Sequence, residues 1–266
     1  MPFIERPNAR IYFEDAGGDG IPVLFSHGIL MDHEMFSPQI NALRGEAEGG
    51  SEYRCVAWDE RGHGQTEDSG PFSYWDSARD AIALLDHLAI DRAVLVGMSQ
   101  GGFISLRVAL EAPERVRGLF LIDTQAGLED PNVVPSYLEM AKQWAANGPQ
   151  QHLAEASAAL IVAPADATPW IEKWFTQPQH RVTEMMNCLV TRDDITERLR
   201  EIDAPAVVVH GDADPSIPMS RAEELAAGLP RCDGVVQIAG GGHAANLSHP
   251  DEVNHELEEF LTSVSG

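Results

Sequence analysis

The sequence predicts an α/β protein: a mostly parallel, doubly wound sheet with a helical cap inserted late in the chain. Three observations carry that expectation. Short apolar, β-branched runs alternate with amphipathic stretches over residues 1–126, as when buried strands are flanked by helices. The strand signal then stops between residues 127 and 200 and returns afterwards. A Gly-x-Ser-x-Gly pentapeptide follows directly on one of the apolar runs and precedes a helical stretch.

Ile4, Ile11 and Phe13, set among polar neighbours and followed by Ala16-Gly17-Gly18-Asp19-Gly20, predict an antiparallel edge hairpin leading into the first buried strand. Buried strands are expected at 22–28, 53–62, 93–99 and 116–123, each ending in polar or glycine residues where a loop begins. Between the second and third, Trp75, Ala78, Ile82 and Leu85 fall on one face of a helix over 74–88. From Gly127 to Arg200 the pattern is helical and rich in Ala, Met and Trp. Val134, Leu138, Ala141 and Ala145 fall at helical spacing there, and Pro149, Pro164, Pro169 and Pro178 divide the segment into short helices. Strand character resumes at 205–214, then come a helix near 219–228, a strand at 234–240 and a closing helix from Pro250 to about Val264. The expected organisation is one core, residues 1–126 and 201–266, interrupted by a cap at 127–200.

A chain of 266 residues is long enough for one catalytic core with an insertion and short for two independent domains. Its 44% hydrophobic and 23% charged residues are ordinary globular usage and give no support to disorder or a fibrous repeat. Asp and Glu outnumber Lys and Arg by 42 to 18, and the resulting charge of −24 repels phosphate backbones and anionic lipid surfaces alike. Neither nucleic acid nor membrane is expected as a partner; a small-molecule substrate is, and a homodimer stays open. The charged, proline-bearing start lacks the apolar stretch of a signal peptide, and no run approaches spanning length, so a cytoplasmic protein is expected. Cys55, Cys188 and Cys232 are odd in number and widely spaced. They suggest neither a disulfide framework nor a zinc site and read as small buried hydrophobes.

The pentapeptide is Gly97-Met98-Ser99-Gln100-Gly101. A serine on a sharp strand-to-helix turn needs unusual backbone angles and close passage of neighbouring backbone, which Gly97, Gly101 and Gly102 permit. The same turn puts Ser99 at a helix N-terminus, where free N–H groups favour developing negative charge, and the Gln100 N–H is the natural first oxyanion donor.

GMSQGG, together with Ser26-His27-Gly28 and the DERGHGQT stretch at 59–66, resembles the α/β-hydrolase superfamily over nearly the whole chain. The resemblance implies an acyl-transferring serine enzyme, with the second oxyanion donor on the loop after the first buried strand, at the Ile29 N–H. It also implies that His27, and His63 within Arg61-Gly62-His63-Gly64, are scaffold. Dehalogenases and epoxide hydrolases of the same superfamily are similar except for an Asp where this chain has Ser99.

A serine hydroxyl is a weak nucleophile until an imidazole accepts its proton and a carboxylate orients that imidazole. Of ten histidines, His243 lies in a glycine-rich loop between the last expected strand and the closing helix, and is the candidate base. His249 and His255 belong to the closing helix region, and His210 to the end of a strand. For the acid, Gly211-Asp212-Ala213-Asp214-Pro215-Ser216-Ile217-Pro218 resembles the family pattern G-x-x-D-x-x-x-P and points to Asp214. Asp212, which reads as a turn residue, and Asp123, at an earlier strand end, are its rivals. No cofactor or metal is required.

The cap concentrates large apolar side chains, among them Trp144, Trp170, Trp174, Phe175, Met140, Met185 and Met186, as a pocket roof would. Trp144, Trp174 and Met185 are the candidate substrate contacts. Lys142, Lys173, Arg181 and Arg192 read as solvated helix surface, with binding of a substrate carboxylate as the alternative. The expected reaction is hydrolysis of a small, largely apolar ester or lactone through an acyl-enzyme on Ser99. A carbon–carbon hydrolase or cofactor-free perhydrolase with the same triad, and a ligand-binding signalling protein on a hydrolase scaffold, are the alternatives.

Overall fold

A computed structural model of the chain describes residues 2–44, 52–176 and 181–265. β1 (Phe3–Arg6) and β2 (Ala9–Asp15) form the antiparallel hairpin, with Ile4 opposite Ile11, and its tight turn places Asn8 at a φ of 58°. β3 (Ile21–Ser26), α1 (Ser37–Arg44), β4 (Tyr53–Trp58), the two-residue β5 (Glu67–Asp68), α2 (Tyr74–His87), β6 (Ala93–Met98), α3 (Gln100–Glu111) and β7 (Val116–Ile122) follow. Among the described residues, four α-helices then lie between β7 and the next strand: α4 (Val134–Asn147), α5 (Gln151–Ile161), α6 (Ala167–Trp174) and α7 (Arg181–Val190). The chain ends with β8 (Ala206–Gly211), α8 (Met219–Gly228), β9 (Cys232–Ile238), the single turn α9 (Ala245–Ser248) and α10 (Pro250–Ser263).

The sheet runs β1-β2-β4-β3-β6-β7-β8-β9, with β5 paired to β2. From β4 to β9 all neighbours are parallel, and β2 joins β4 antiparallel. This is the mostly parallel α/β sheet that the apolar runs predict. Every residue of β6 is buried, as is Val23–Ser26 of β3, because helices cover both faces and a strand in that position has no wet side. The winding reverses at β3, whose neighbours are β4 and β6. Ser26 pairs with Trp58 on one side and Gly97 on the other, so three strand ends come level. Loops that diverge from such a reversal leave a crevice at the carboxyl edge.

The helix expected at 74–88 is α2. Ser73 and Asp76 cap it reciprocally, each side chain bonding the other's backbone N–H. Its buried face is Tyr74, Ala78, Ala81, Leu84 and Leu85, whereas Trp75 and Ile82 are half-buried. The face is thus rotated slightly from the expected one, because Tyr74 packs edge-on against Phe103 of α3 at 5.5 Å. In α4 the difference is larger: Ala141 and Trp144 are buried, while Leu138 is 40% exposed. Pro149 and Pro164 fall between helices and Pro169 in the first turn of α6; Pro178 lies outside the described residues. The sequence pattern did not mark α1. Cys55 and Cys188 are free and buried as expected, but Cys232 is only half-buried on the edge strand β9. Among the described residues, no helix is long and apolar enough to cross a membrane.

Candidate active site

Ser99 sits between β6 and α3 with φ 50° and ψ −115°, a left-handed conformation that a side chain adopts only under constraint. The constraint comes from both sides: Ser99 N donates to Ile122 O at 2.9 Å, and Thr124 Oγ1 donates to Ser99 O at 2.7 Å. The flanking glycines are steric necessities. A Cβ on Gly101 would run into the Ser26 carbonyl, and one on Gly97 into the Gly101 carbonyl.

The loop after β9 brings His243 over this turn. Its Nε2 lies 3.0 Å from Ser99 Oγ and its Nδ1 2.8 Å from Asp214 Oδ2. Asp214 leaves that oxygen free because its Oδ1 already accepts the N–H groups of Ser216 and Ile217, at 2.7 and 3.0 Å. Burial disfavours its charge, but the His243 contact and the two N–H bonds prevail and hold the carboxyl below its ordinary range. Burial likewise opposes protonation of His243, yet the Asp214 carboxylate, aided by Glu129, keeps its pKa above the usual value.

The two rival acids do different work. Asp212 accepts the Gly240 N–H at 2.7 Å, a local turn contact. Asp123 is fully buried and accepts Gly211 N and Ala245 N at 2.8 and 3.0 Å, tying the loop after β8 to the loop that carries His243. Burial, only partly countered by the charge of His243 and these two bonds, pushes its pKa up to about 8.

Loop 27–30 lies beside Ser99, held by two buried neutral imidazoles. His27 Nδ1 donates to Gly28 O at 2.8 Å while its Nε2 accepts Glu60 N at 3.1 Å. His63 Nδ1 donates to Arg61 O at 2.8 Å while its Nε2 accepts Leu30 N at 3.1 Å. Burial lowers both pKa values. Ile29 lines the cavity above Ser99, and among the described residues neither the Ile29 nor the Gln100 backbone N–H is taken by another protein group. Sequence reasoning missed Glu60, whose buried carboxyl, raised well above its ordinary pKa by burial, receives the Gln100 side-chain amide at 2.6 Å. Tyr74 OH donates to the same amide's oxygen at 3.2 Å, so the Gln100 side chain is fixed away from Ser99. Nothing local in the sequence signals this contact, which joins side chains 40 residues apart.

A cavity of about 280 Å³ opens above Ser99 and His243, walled by Phe103, Met140, Leu153, Met186 and Leu189, with Glu129 among the lining residues. Trp144, Trp174 and Met185 are not part of this lining, which corrects the expectation for all three. They are buried deeper: Trp144 and Trp174 pack edge to face at 6.0 Å, Trp174 Nε1 donates to Leu30 O at 2.5 Å, and Met185 covers Gly62. Short helices of similar apolarity on several faces present whichever side the neighbouring helices leave uncovered, so Met140 and Met186 face the cavity instead.

The cationic residues of this region also differ from expectation. Lys142 is exposed beside Glu139, but Lys173 pairs with Asp32 and Glu34, Arg181 with Asp68, and Arg192, almost wholly buried, with Glu129. None of the four lines the cavity. Asp32, His33 and Asp59 could geometrically offer three ligand atoms to a cation. Lys173 already neutralises Asp32, however, and Asp59 accepts His33 N, His33 Nδ1 and Gln65 N.

Comparison with known proteins agrees with this architecture. The chain is 27% identical to RutD of Azorhizobium caulinodans, which carries a provisional carbamate hydrolase name, over 99% of both chains. It is 24% identical to 3-oxoadipate enol-lactonase 2 of Acinetobacter baylyi, over 90% of this chain and 88% of that one. A thermophilic esterase from Thermogutta terrifontis superposes with a TM-score of 0.87 at 25% identity, covering 100% of this chain and 98% of the other. A family model described as the alpha/beta hydrolase fold matches residues 21–250, a span that includes Ser99, Asp214 and His243. The chain belongs to the α/β hydrolase fold family.

Proposed function

We propose that this hydrolase cleaves small, largely apolar carboxylic esters or lactones through an acyl-enzyme on Ser99. The observation that carries the reading is the unbroken line Asp214 Oδ2 to His243 Nδ1 to Ser99 Oγ at the floor of an apolar cavity. Asp214 accepts a hydrogen bond from Nδ1–H, which leaves Nε2 unprotonated toward the hydroxyl. Ser99 Oγ bonds to the substrate carbonyl carbon as its proton passes to His243 Nε2. The tetrahedral oxyanion sits at the Ile29 and Gln100 N–H groups and the positive end of α3. His243 then returns the proton to the leaving oxygen as the carbon–oxygen bond breaks, and water repeats the cycle on the acyl-enzyme.

Residues 127–200 act as a cap over a core of residues 1–126 and 201–266; Met140, Leu153 and Met186 supply the apolar wall that favours uncharged acyl groups. The names of the relatives, an enol-lactonase, an esterase and a carbamate hydrolase, support a carbonyl bearing a leaving heteroatom. The test is a fluorophosphonate label mapped by mass spectrometry together with a panel of short p-nitrophenyl esters, lactones and a vinylogous diketone. Labelling at Ser99 with ester or lactone turnover is expected; turnover of the diketone alone, or labelling elsewhere, would reject the reading.

A further inference from the structure

One acidic side chain other than Asp214 bears on the cavity without any part in the proton path. Glu129, on the connection after β7, is among the lining residues, and its side chain is 10% exposed. Its Oε1 lies 2.7 Å from Arg192 Nη1. Arg192 cannot follow a substrate into the cavity. Its Nε and Nη2 donate to Gly127 O at 3.1 and 2.7 Å, and its Nη1 also donates to Leu189 O at 2.8 Å. Its guanidinium lies 4.4 Å above the Phe103 ring, with the side chain 2% exposed. The pair is therefore ordered from the cavity outward: carboxylate first, guanidinium behind.

A buried guanidinium of this kind, with fixed donors beside an apolar wall, is the usual seat for a substrate carboxylate. Here the protein's own carboxylate fills that seat. A substrate ending in a carboxylate would meet the oxygens of Glu129, the negative end of the pair, rather than Arg192, and would lose its hydration with no free counter-charge to compensate. The direction of the His243 shift agrees, since Glu129 is among the charges that favour its protonated form.

We propose that Glu129 determines specificity by occupying the anion seat on Arg192, so that the enzyme accepts uncharged acyl groups and rejects acyl groups that end in a carboxylate. This rests on the ester or lactone reading of the site. Without Glu129 the same cavity would present Arg192 and prefer half-esters of dicarboxylic acids.

The experiment compares kcat/KM for p-nitrophenyl butyrate with kcat/KM for mono-p-nitrophenyl succinate, glutarate and adipate. In the wild type the half-esters are expected to run below the butyrate by about 100-fold or more, the scale of burying a carboxylate without a free counter-charge. In Glu129→Ala the ratio should rise at least about tenfold for the half-ester whose length reaches Arg192. Because that change leaves a buried cation unpaired and can unfold the protein, Glu129→Gln, which keeps an acceptor for Arg192, is the second variant. Glu139→Gln, an exposed change of the same charge on α4, should leave the ratio unchanged. Binding of glutaramate against pentanamide, followed by thermal shift, reads the same preference without turnover. Binding that follows the expected ratio in a protein that cleaves no ester would count against the hydrolase reading alone. Equal use of butyrate and half-esters by the wild type, or a ratio that both Glu129 variants leave unchanged, or that Glu139→Gln changes equally, would overturn the proposal.

Discussion

Asp214 and Asp123 lie on opposite sides of one buried imidazole: His210 Nε2 is 3.6 Å from an Asp214 oxygen and His210 Nδ1 is 3.6 Å from an Asp123 oxygen. His210 Nε2 donates to Ile217 O at 2.9 Å, and burial keeps the ring neutral, so it separates the two carboxyls without bridging their charges. Each is pushed a different way. Asp214, with two N–H donors and His243, stays ionised; Asp123 is raised to about 8 by burial. Asp214→Asn is accordingly expected to lower kcat by about four decades, as when a triad carboxylate is lost, while Asp123→Asn lowers it by no more than about tenfold. Steady-state kinetics on a neutral ester distinguishes the two.

Ser99→Ala removes the proposed nucleophile from a turn whose backbone is held by Ile122 and Thr124 rather than by the hydroxyl. A loss of about four to six decades in kcat with an unchanged melting curve is expected. Near-normal turnover of p-nitrophenyl butyrate in this variant would remove Ser99 from the reaction.

The pH profile follows from His243. The proposed mechanism needs its neutral form, and its pKa is raised above 6.5 because Asp214 outweighs burial. The acidic limb of kcat/KM should therefore fall away below a midpoint above 6.5, and in Asp214→Asn that midpoint should move to lower pH. A limb centred at or below the ordinary histidine value would contradict the electrostatic reading.

Asp123 makes a separate claim on stability. Its folded pKa, about 8, exceeds the unfolded value of 3.8, so between those values the unfolded chain has released a proton that the folded one retains. Raising the pH through that window favours unfolding, and the contribution is lost as pH approaches 8. The fall in Tm from pH 5 to pH 8 should be shallower in Asp123→Asn than in the wild type, as differential scanning calorimetry would register.

Trp174 joins the β7–β8 connection to the loop beside Ser99 through Leu30 O, and Leu30 itself has a φ of 64°. Trp174→Phe keeps the ring packing against Trp144 but orphans that carbonyl, a loss of about 1–3 kcal/mol in stability. The expected kinetic effect is a drop in kcat larger than any rise in KM, because Leu30 adjoins Ile29, whose N–H is the proposed oxyanion donor.

Strand positions, the turn at Ser99 and the carboxylate and imidazole that meet it were readable from the chain because each carries a local signature. A strand buried on both faces must be continuously apolar, a nucleophile turn needs glycines at set offsets, and the loops after β8 and β9 carry Asp214 and His243 in recognisable surroundings. The tertiary structure decided what depends on neighbours remote in sequence. It selected Asp214 over Asp212 and Asp123 by which oxygen remains free for His243, and it turned Met140 and Met186 rather than Trp144, Trp174 and Met185 toward the cavity. It also paired Arg192 with Glu129, and on the specificity proposed above that contact removes a cation that could otherwise hold a substrate carboxylate. The physical reason is the same in each case. A side chain's type follows from sequence, but its free lone pair, its exposed face and its counter-ion are set by whatever packs against it.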